Sequence, residues 1–289
     1  MFNVYNRIEN LRSRYQKALP GKESLIKMIE ESEVAEQVYN SNAIENSTLS
    51  LEETEKIILQ IDLDRFISER EMFEAKNLAR VVSYISTKAK EKELDLDMIL
   101  LLHKMLISNI RDDIAGRFRN KDEWVRVGSH IAPNPLEVVD RLTQMLVEYN
   151  SYPSHAITKR VALMHLTFEY THPFCDGNGR IGRILNNYVL IREGFVPINI
   201  KFIDRQLYYQ AFKDFDLKNS IEIMEEIVGK ALLNSYHKRL AYLEGLKIVT
   251  LAEYAKMKKL SHSNLLNKAN RQTIEAFLDH GVWKIGIKE

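Results

Sequence analysis

No internal disulfide can form in this chain, because Cys175 is its only cysteine. That excludes a disulfide-stapled fold and fits a reducing compartment. Apolar runs of the length needed to cross a bilayer are missing too, so no helical membrane span or membrane partner is expected. No apolar run follows Met1–Arg7, so the expectation is no signal peptide and a cytoplasmic location. Excess charge of either sign is lacking: 41 Lys and Arg stand against 40 Asp and Glu. Nothing about the whole chain therefore draws it to nucleic acid or a lipid surface. Six prolines and eleven glycines in 289 residues leave room for long helices. What is present, 45% hydrophobic and 28% charged residues, is ordinary for a globular protein of one or two domains.

Helical periodicity dominates. Leu25, Met28, Ile29, Ser32 and Ala35 mark one face of a helix from Glu23 to about Tyr39. Ser50 and Glu53 form a capping-box pattern that starts another, running to about Gln60. Further helices are expected over Glu71 to Lys92, Leu96 to Ile110, Pro135 to Tyr149, Ile157 to Tyr170 and Gly179 to Arg192, with Gly194 as the last one's stop. No strand-helix alternation of the kind that builds a parallel sheet is seen. Glu123 to Ile131 alternates around Gly128 and suggests a short hairpin, with a surface loop as the alternative.

The chemistry concentrates in His172-Pro173-Phe174-Cys175-Asp176-Gly177-Asn178-Gly179-Arg180, with Arg183 following. Gly177 to Gly182 satisfies G-x-G-x-x-G, but the preceding segment is helical, so the strand that a dinucleotide fold requires is missing. A Walker loop is absent. The segment reads instead as a loop between two helices. Gly177 and Gly179 let backbone amides approach an anion, and the second helix adds its positive end. Arg180 and Arg183, three apart, aim two guanidinium groups from one face, and guanidinium matches phosphate bidentately. Asp176 beside phosphates points to Mg²⁺. His172 has the side chain suited to taking a proton near neutral pH. Phe174 reads as a core anchor.

His172, Phe174, Asp176, Gly177, Asn178, Gly179, Arg180 and Arg183 match the motif H-x-F-x-[DE]-G-N-G-R-x-x-R at every specified position, and the segment resembles the Fic family. The resemblance runs from about Leu96 to Ile191 and more loosely over the whole chain. It implies an all-α fold: a Fic-type helical bundle with a short β-hairpin flap. It also implies transfer of AMP from ATP to a Tyr, Ser or Thr hydroxyl of a target protein. His172 is then the base and Asp176 the Mg²⁺ ligand. Gly177, Asn178, Gly179, Arg180, Ile181, Gly182 and Arg183 form the ATP site, with Arg180 on the β-phosphate and Arg183 on the γ-phosphate. Val125, Arg126, Val127 and Gly128 occupy the place of the flap that receives a target segment as an added strand. Tyr208 and Tyr209 stand where relatives close the adenine pocket, or else simply pack a helix.

Ser41, Glu45 and Asn46 fit the family's inhibitory signature, [ST]-x-x-x-E-[GN], after a helix. The resemblance implies that Glu45 pairs with Arg183 and fills the γ-phosphate position; an exposed helical Glu is the alternative. Some relatives use this Glu to activate water and remove AMP, and others transfer phosphocholine or phosphate. The intact Asp176, Asn178, Arg180 and Arg183 favour AMP.

The expected division is 1–94, a helical region with the inhibitory motif; 95–244, the catalytic core; and 245–289, a unit resembling a small winged helix-turn-helix. In 246–289, eight basic residues face four acidic ones. DNA is one partner for such a unit and protein docking is the other, and a gel shift across a salt series separates them. A DNA-associated regulator whose Fic site modifies itself is the alternative function. A homodimer and self-modification are further expectations. The target protein is not legible in the sequence.

Overall fold

A computed structural model describes residues 4–127 and 130–288. Among these residues it is mostly helical, as expected. In chain order come α1 (Val4–Ala18), α2 (Glu23–Ile44), α3 (Leu51–Ile58), α4 (Glu69–Lys88) and α5 (Leu96–Ile107). A two-stranded hairpin follows, β1 (Arg126–Val127) and β2 (His130–Ile131), then α6 (Val138–Ser151), α7 (Ile157–Thr171) and α8 (Asn178–Arg192). The chain closes with α9 (Arg205–Lys218), α10 (Glu222–Leu243), β3 (Lys247–Thr250), α11 (Leu251–Lys258), α12 (His262–Asn270), β4 (Ala276–Asp279) and β5 (Val282–Ile287).

Local chemistry explains several of these boundaries. The Ser50 hydroxyl accepts from the Glu53 amide while Glu53 reaches back to the Ser50 amide, so the expected capping box starts α3. Thr250 and Glu253 do the same for α11, and Ser261 caps α12. Gly194 takes φ 75° just past α8, a left-handed stop that glycine adopts at little cost. One difference matters for function. α2 continues to Ile44, so Ser41 lies in its last turn rather than beyond it. The motif residue Glu45 thus directly follows the end of α2.

Two compact units are built from discontinuous segments, which linear boundaries at 94/95 and 244/245 cannot express. One comprises Met1–Glu33, Val196–Ile198 and Gly229–Glu289; the other comprises Val34–Phe195 and Asn199–Val228. In the first, β5 lies between β3 and β4 in an antiparallel sheet. α11 and α12 cover it through Leu251, Ala255, Leu265 and Ala269, packed with Ala276 and Ile285. Its buried charges are paired: Arg239 with Glu33 at 2.7 Å, and Lys238 with Glu33 at 3.1 Å and with Asp279 at 2.6 Å.

The second unit holds the candidate site. α8 runs through its middle, in contact with α4, α5 and α7, and thirteen of its fifteen residues are buried. A helix enclosed on all sides cannot keep charged residues without partners. Yet α8 carries Arg180 and Arg183, 3% and 8% exposed. What satisfies them defines the site.

Candidate active site

The loop between α7 and α8 is fixed by four local features. His172 ends α7 with a left-handed backbone, φ 47° and ψ 61°, an uncommon conformation for a side-chain-bearing residue, held where surroundings enforce it. Phe174, fully buried, stacks on His103 with ring centres 3.7 Å apart. The Asn178 side chain accepts from the Phe174 amide at 2.9 Å and donates to its carbonyl at 2.8 Å. Gly177 takes φ 81°, and a Cβ there would meet Ile107 Cδ1 at 3.0 Å, so both backbone shape and space call for glycine.

His103 sits beneath this loop. The Gly116 amide donates to its Nδ1 at 3.1 Å. Nε2 must then carry the proton that meets the Asp176 carbonyl, also at 3.1 Å. Burial pushes the ring's pKa down to about 4, so it stays in this neutral form.

Asp176 lies between two cations. Its Oδ2 is 2.7 Å from Arg70 and its Oδ1 3.1 Å from Arg180. Burial alone would raise its pKa, but Arg180 and Arg70 reverse that and hold it below the usual carboxylate range. Arg180 is also paired with Glu74 at 3.0 Å. As an ionised carboxylate on the loop that leads into α8, Asp176 fits Mg²⁺, which takes one or two protein carboxylates and completes its shell with substrate phosphates and water.

Arg183 is enclosed by Ser41, Glu45 and Tyr208. Its Nη2 lies 2.8 Å from Glu45 Oε1 and donates to the Ser41 carbonyl at 2.9 Å. Its Nε donates to the Ser41 hydroxyl at 2.9 Å and its Nη1 to the Tyr208 hydroxyl at 3.0 Å. Burial opposes the charge, yet Tyr208 and Glu45 hold the guanidinium above its ordinary pKa. A Cβ on Gly179 would stand 2.2 Å from Glu45 Oε1. The Glu45 carboxylate therefore lies directly over the first turn of α8, where free amides and the helix dipole attract an anion. Tyr209 donates to the Ile44 carbonyl at 3.0 Å, and Asn46 accepts from Arg205, so α9 holds the motif in place.

The His172 ring makes its polar contacts among the described residues through Nδ1. The Glu169 carbonyl is 3.3 Å away and the Glu169 carboxyl 4.0 Å away. Burial pushes the imidazole down to about 4. Burial, with the Glu45 charge second, pushes the Glu169 carboxyl up to about 8. Both are neutral near pH 7, so their approach is not an ion pair there.

Arg119 organises the backbone around His172. It is 4% exposed and donates from its side chain to four carbonyls: His172 at 2.7 Å, Glu123 and Pro133 at 3.0 Å, and Thr171 at 3.3 Å. Its amide reaches the Pro173 carbonyl at 3.0 Å. One guanidinium thus ties the base of the hairpin to the site loop. Arg119→Ala is expected to cost about 3 kcal/mol or more, since each buried carbonyl left unpaired costs about 1–3 kcal/mol. The midpoint of urea unfolding reads this, and an unchanged midpoint would remove the clamp role.

Most of the residues singled out from sequence converge here. Asp176, Gly177, Gly179, Arg180, Arg183, Ser41 and Glu45 lie at one end of α8, with His172 on the loop that leads into it. Five take other positions. Asn178 joins its side chain to Phe174, so it shapes the loop instead of presenting that side chain to phosphate. Ile181 is fully buried, and Gly182 faces α7, where a Cβ would meet Glu169 at 2.5 Å. Tyr208 is 1% exposed and bonded to Arg183, so its ring offers no face to a base; Tyr209, half-buried, secures the motif.

The hairpin forms, with Arg126 opposite Ile131 and Val127 opposite His130, and with the Val125 carbonyl accepting from Ala132. Val127 and Ile131 are exposed. Gly128 lies outside the described residues. His130 anchors the hairpin through the Tyr170 carbonyl at 3.0 Å. Arg70, Glu74, His103, Arg119 and Glu169 were not singled out from sequence. Glu169 carried the one available signal, a carboxylate three residues before His172 on the same helix.

Known proteins resemble this chain in sequence and in fold. Residues 93–190 match the Fic/DOC family. The protein adenylyltransferase Fic of Nematostella vectensis is 32% identical over 180 residues, 61% of this chain and 42% of that one. The Drosophila melanogaster protein of the same name is 28% identical over 245 residues, 78% of this chain and 49% of that one. The chain thus spans half or less of the length of these relatives. A Fic domain containing signaling protein from Bacteroides thetaiotaomicron shares the fold, with a TM-score of 0.72 at 24% identity over 82% of this chain and 97% of that one. Fic-1 from C. elegans superposes with a TM-score of 0.72 at 25% identity, covering 84% and 72%.

Proposed function

From the premise that residues 93–190 form a Fic domain, we propose that the chain transfers AMP from ATP to a hydroxyl of a protein, itself included, and that Glu45 restrains the transfer. One observation carries the reading. A carboxylate, Glu45, already occupies the leading end of α8 against Arg183. The site therefore favours an anion, and α8 carries a second cation, Arg180, three residues before Arg183 and paired with Asp176 and Glu74.

With Glu45 displaced, Arg183 is available to the γ-phosphate and Arg180 to the β-phosphate. The amides of Asn178 and Gly179, at the start of α8, would receive the phosphate chain. Mg²⁺ held by Asp176 would neutralise phosphate charge; Asp176 Oδ2 is paired with Arg70 at 2.7 Å. His172 donates its Nδ1 proton to the Glu169 carbonyl, which fixes the tautomer and leaves the Nε2 lone pair for the target hydroxyl. Its depressed pKa keeps that lone pair open at neutral pH. The hairpin supplies exposed strand edges against which a target segment can pair regardless of its sequence.

The test uses the Glu45→Gly variant with ATP labelled at either the α- or the γ-phosphorus. Label from the α position is expected to become covalently attached to protein, and label from the γ position to leave with pyrophosphate. Retention of γ label would instead assign phosphate transfer, and retention of neither would remove group transfer to protein.

A further inference from the structure

We propose that Glu169 is a positioning residue for His172, holding the ring's tautomer through its carbonyl and offsetting the ring's charge through its carboxylate once the target's proton has arrived. The inference rests on the reading of this loop as an AMP-transfer site.

The geometry is built in. α7 places Glu169 one turn before His172, so its carbonyl and its carboxyl both face Nδ1, at 3.3 Å and 4.0 Å. The carboxyl is enclosed, 9% exposed, and its Oε1 has no hydrogen-bond partner among the described residues. A buried polar atom without a partner costs about 1–3 kcal/mol, so its retention calls for a reason. Space is reserved for it, because any side chain at Gly182 would collide with Oε1. Five groups face this carboxyl. Arg183 comes from α8, Tyr208 from α9, Glu45 from the end of α2, and His165 and His172 from its own segment, the His165 ring kept neutral by burial. The sole cation among them, Arg183, is already shared by Glu45, Ser41 and Tyr208.

The transfer step shows what the carboxyl can do. The target's O–H bond breaks and its proton goes to Nε2. Its oxygen bonds to the α-phosphorus, and the bond from that phosphorus to the bridging oxygen breaks as pyrophosphate leaves. A buried imidazolium results, disfavoured by desolvation. An ionised Glu169 beside Nδ1 compensates that charge, whereas a protonated one does not. The two groups titrate as a pair, so the gain appears as pH rises through ionisation of the carboxyl. In the resting protein that lies near 8, and removing the Glu45 charge moves it downward. Release of the restraint and readiness of the base are then linked through one carboxyl.

The experiment compares Glu45→Gly with the double variant Glu45→Gly/Glu169→Gln, following self-modification in single turnovers from about pH 6 to pH 9. Glutamine keeps the volume and the backbone carbonyl but cannot ionise. The double variant is expected to lose about threefold near pH 6 and about thirtyfold near pH 9, with ATP affinity unchanged, so the deficit grows with pH. Glu169→Asp in the same background is expected to recover part of the slope. A deficit constant across pH, or none, would show a purely structural role and overturn the proposal. A Glu45→Gly parent that transfers no AMP at any pH would instead remove the site reading, and this inference with it.

Discussion

Glu45→Gly is expected to raise AMP transfer and self-modification about 100-fold, the scale on which a misplaced reactant loses rate. The effect follows from one position serving two anions. Glu45 Oε1 is 2.8 Å from Arg183, and Gly179, at the first turn of α8, has room beneath that oxygen only because it lacks a Cβ. A phosphate seated on Arg183 must overlap this carboxylate or bind elsewhere. Repulsion adds to the overlap: two like unit charges 4 Å apart at an effective dielectric of 20 oppose each other by about 4 kcal/mol. Ser41 and Tyr208 stay as partners for Arg183 in the variant, so the guanidinium is not left unsatisfied and the helix end survives. Glu45→Gln removes the charge but keeps the volume, and its rate should fall between the two. Transfer of labelled AMP measures this series. Equal rates for the unaltered protein and the Glu45→Gly variant would eliminate the restraint and leave the carboxylate as a structural partner of Arg183.

His172→Ala in the Glu45→Gly background is expected to lower transfer by about 10²–10⁴, the usual worth of general-base assistance, while ATP affinity holds. The separation of the two effects has a structural cause. The His172 side chain touches Glu169, not Arg180 or Arg183, and the contacts that hold the loop at this residue involve its backbone: Arg119 binds its carbonyl and its amide binds Phe168. An alanine keeps both. Isothermal titration with a non-hydrolysable ATP analogue, run beside the labelling assay, distinguishes lost chemistry from lost binding. Full transfer by the alanine variant would exclude the imidazole as base.

How much of this could be read beforehand differs by residue. The helix start at Ser50 was legible because a capping box lies within four consecutive residues. The run from His172 to Arg183 was legible for the same reason. Its loop, glycines and helix end are contiguous, and their spacing alone places cations near free amides. Arg70, Glu74 and Arg119 were not legible. Arg70 reaches Asp176 across 106 positions and Arg119 reaches His172 across 53, and no local pattern marks such partners. Asn178 and Tyr208 show the reverse case. Both match a pattern, but the fold joins Asn178 to the Phe174 backbone and buries Tyr208 against Arg183.

Sequence by itself determined the helical architecture, the anion-seeking turn at the start of α8 and the identity of the imidazole beside it, because each depends on residues within a turn or two of one another. Tertiary structure alone decided the charge state of those groups. Burial and partners from distant segments make Asp176 a shared anion, Arg183 an occupied cation and Glu169 a carboxyl that keeps its proton. Ionisation depends on how much water and which charges surround a group, and only the folded chain sets that.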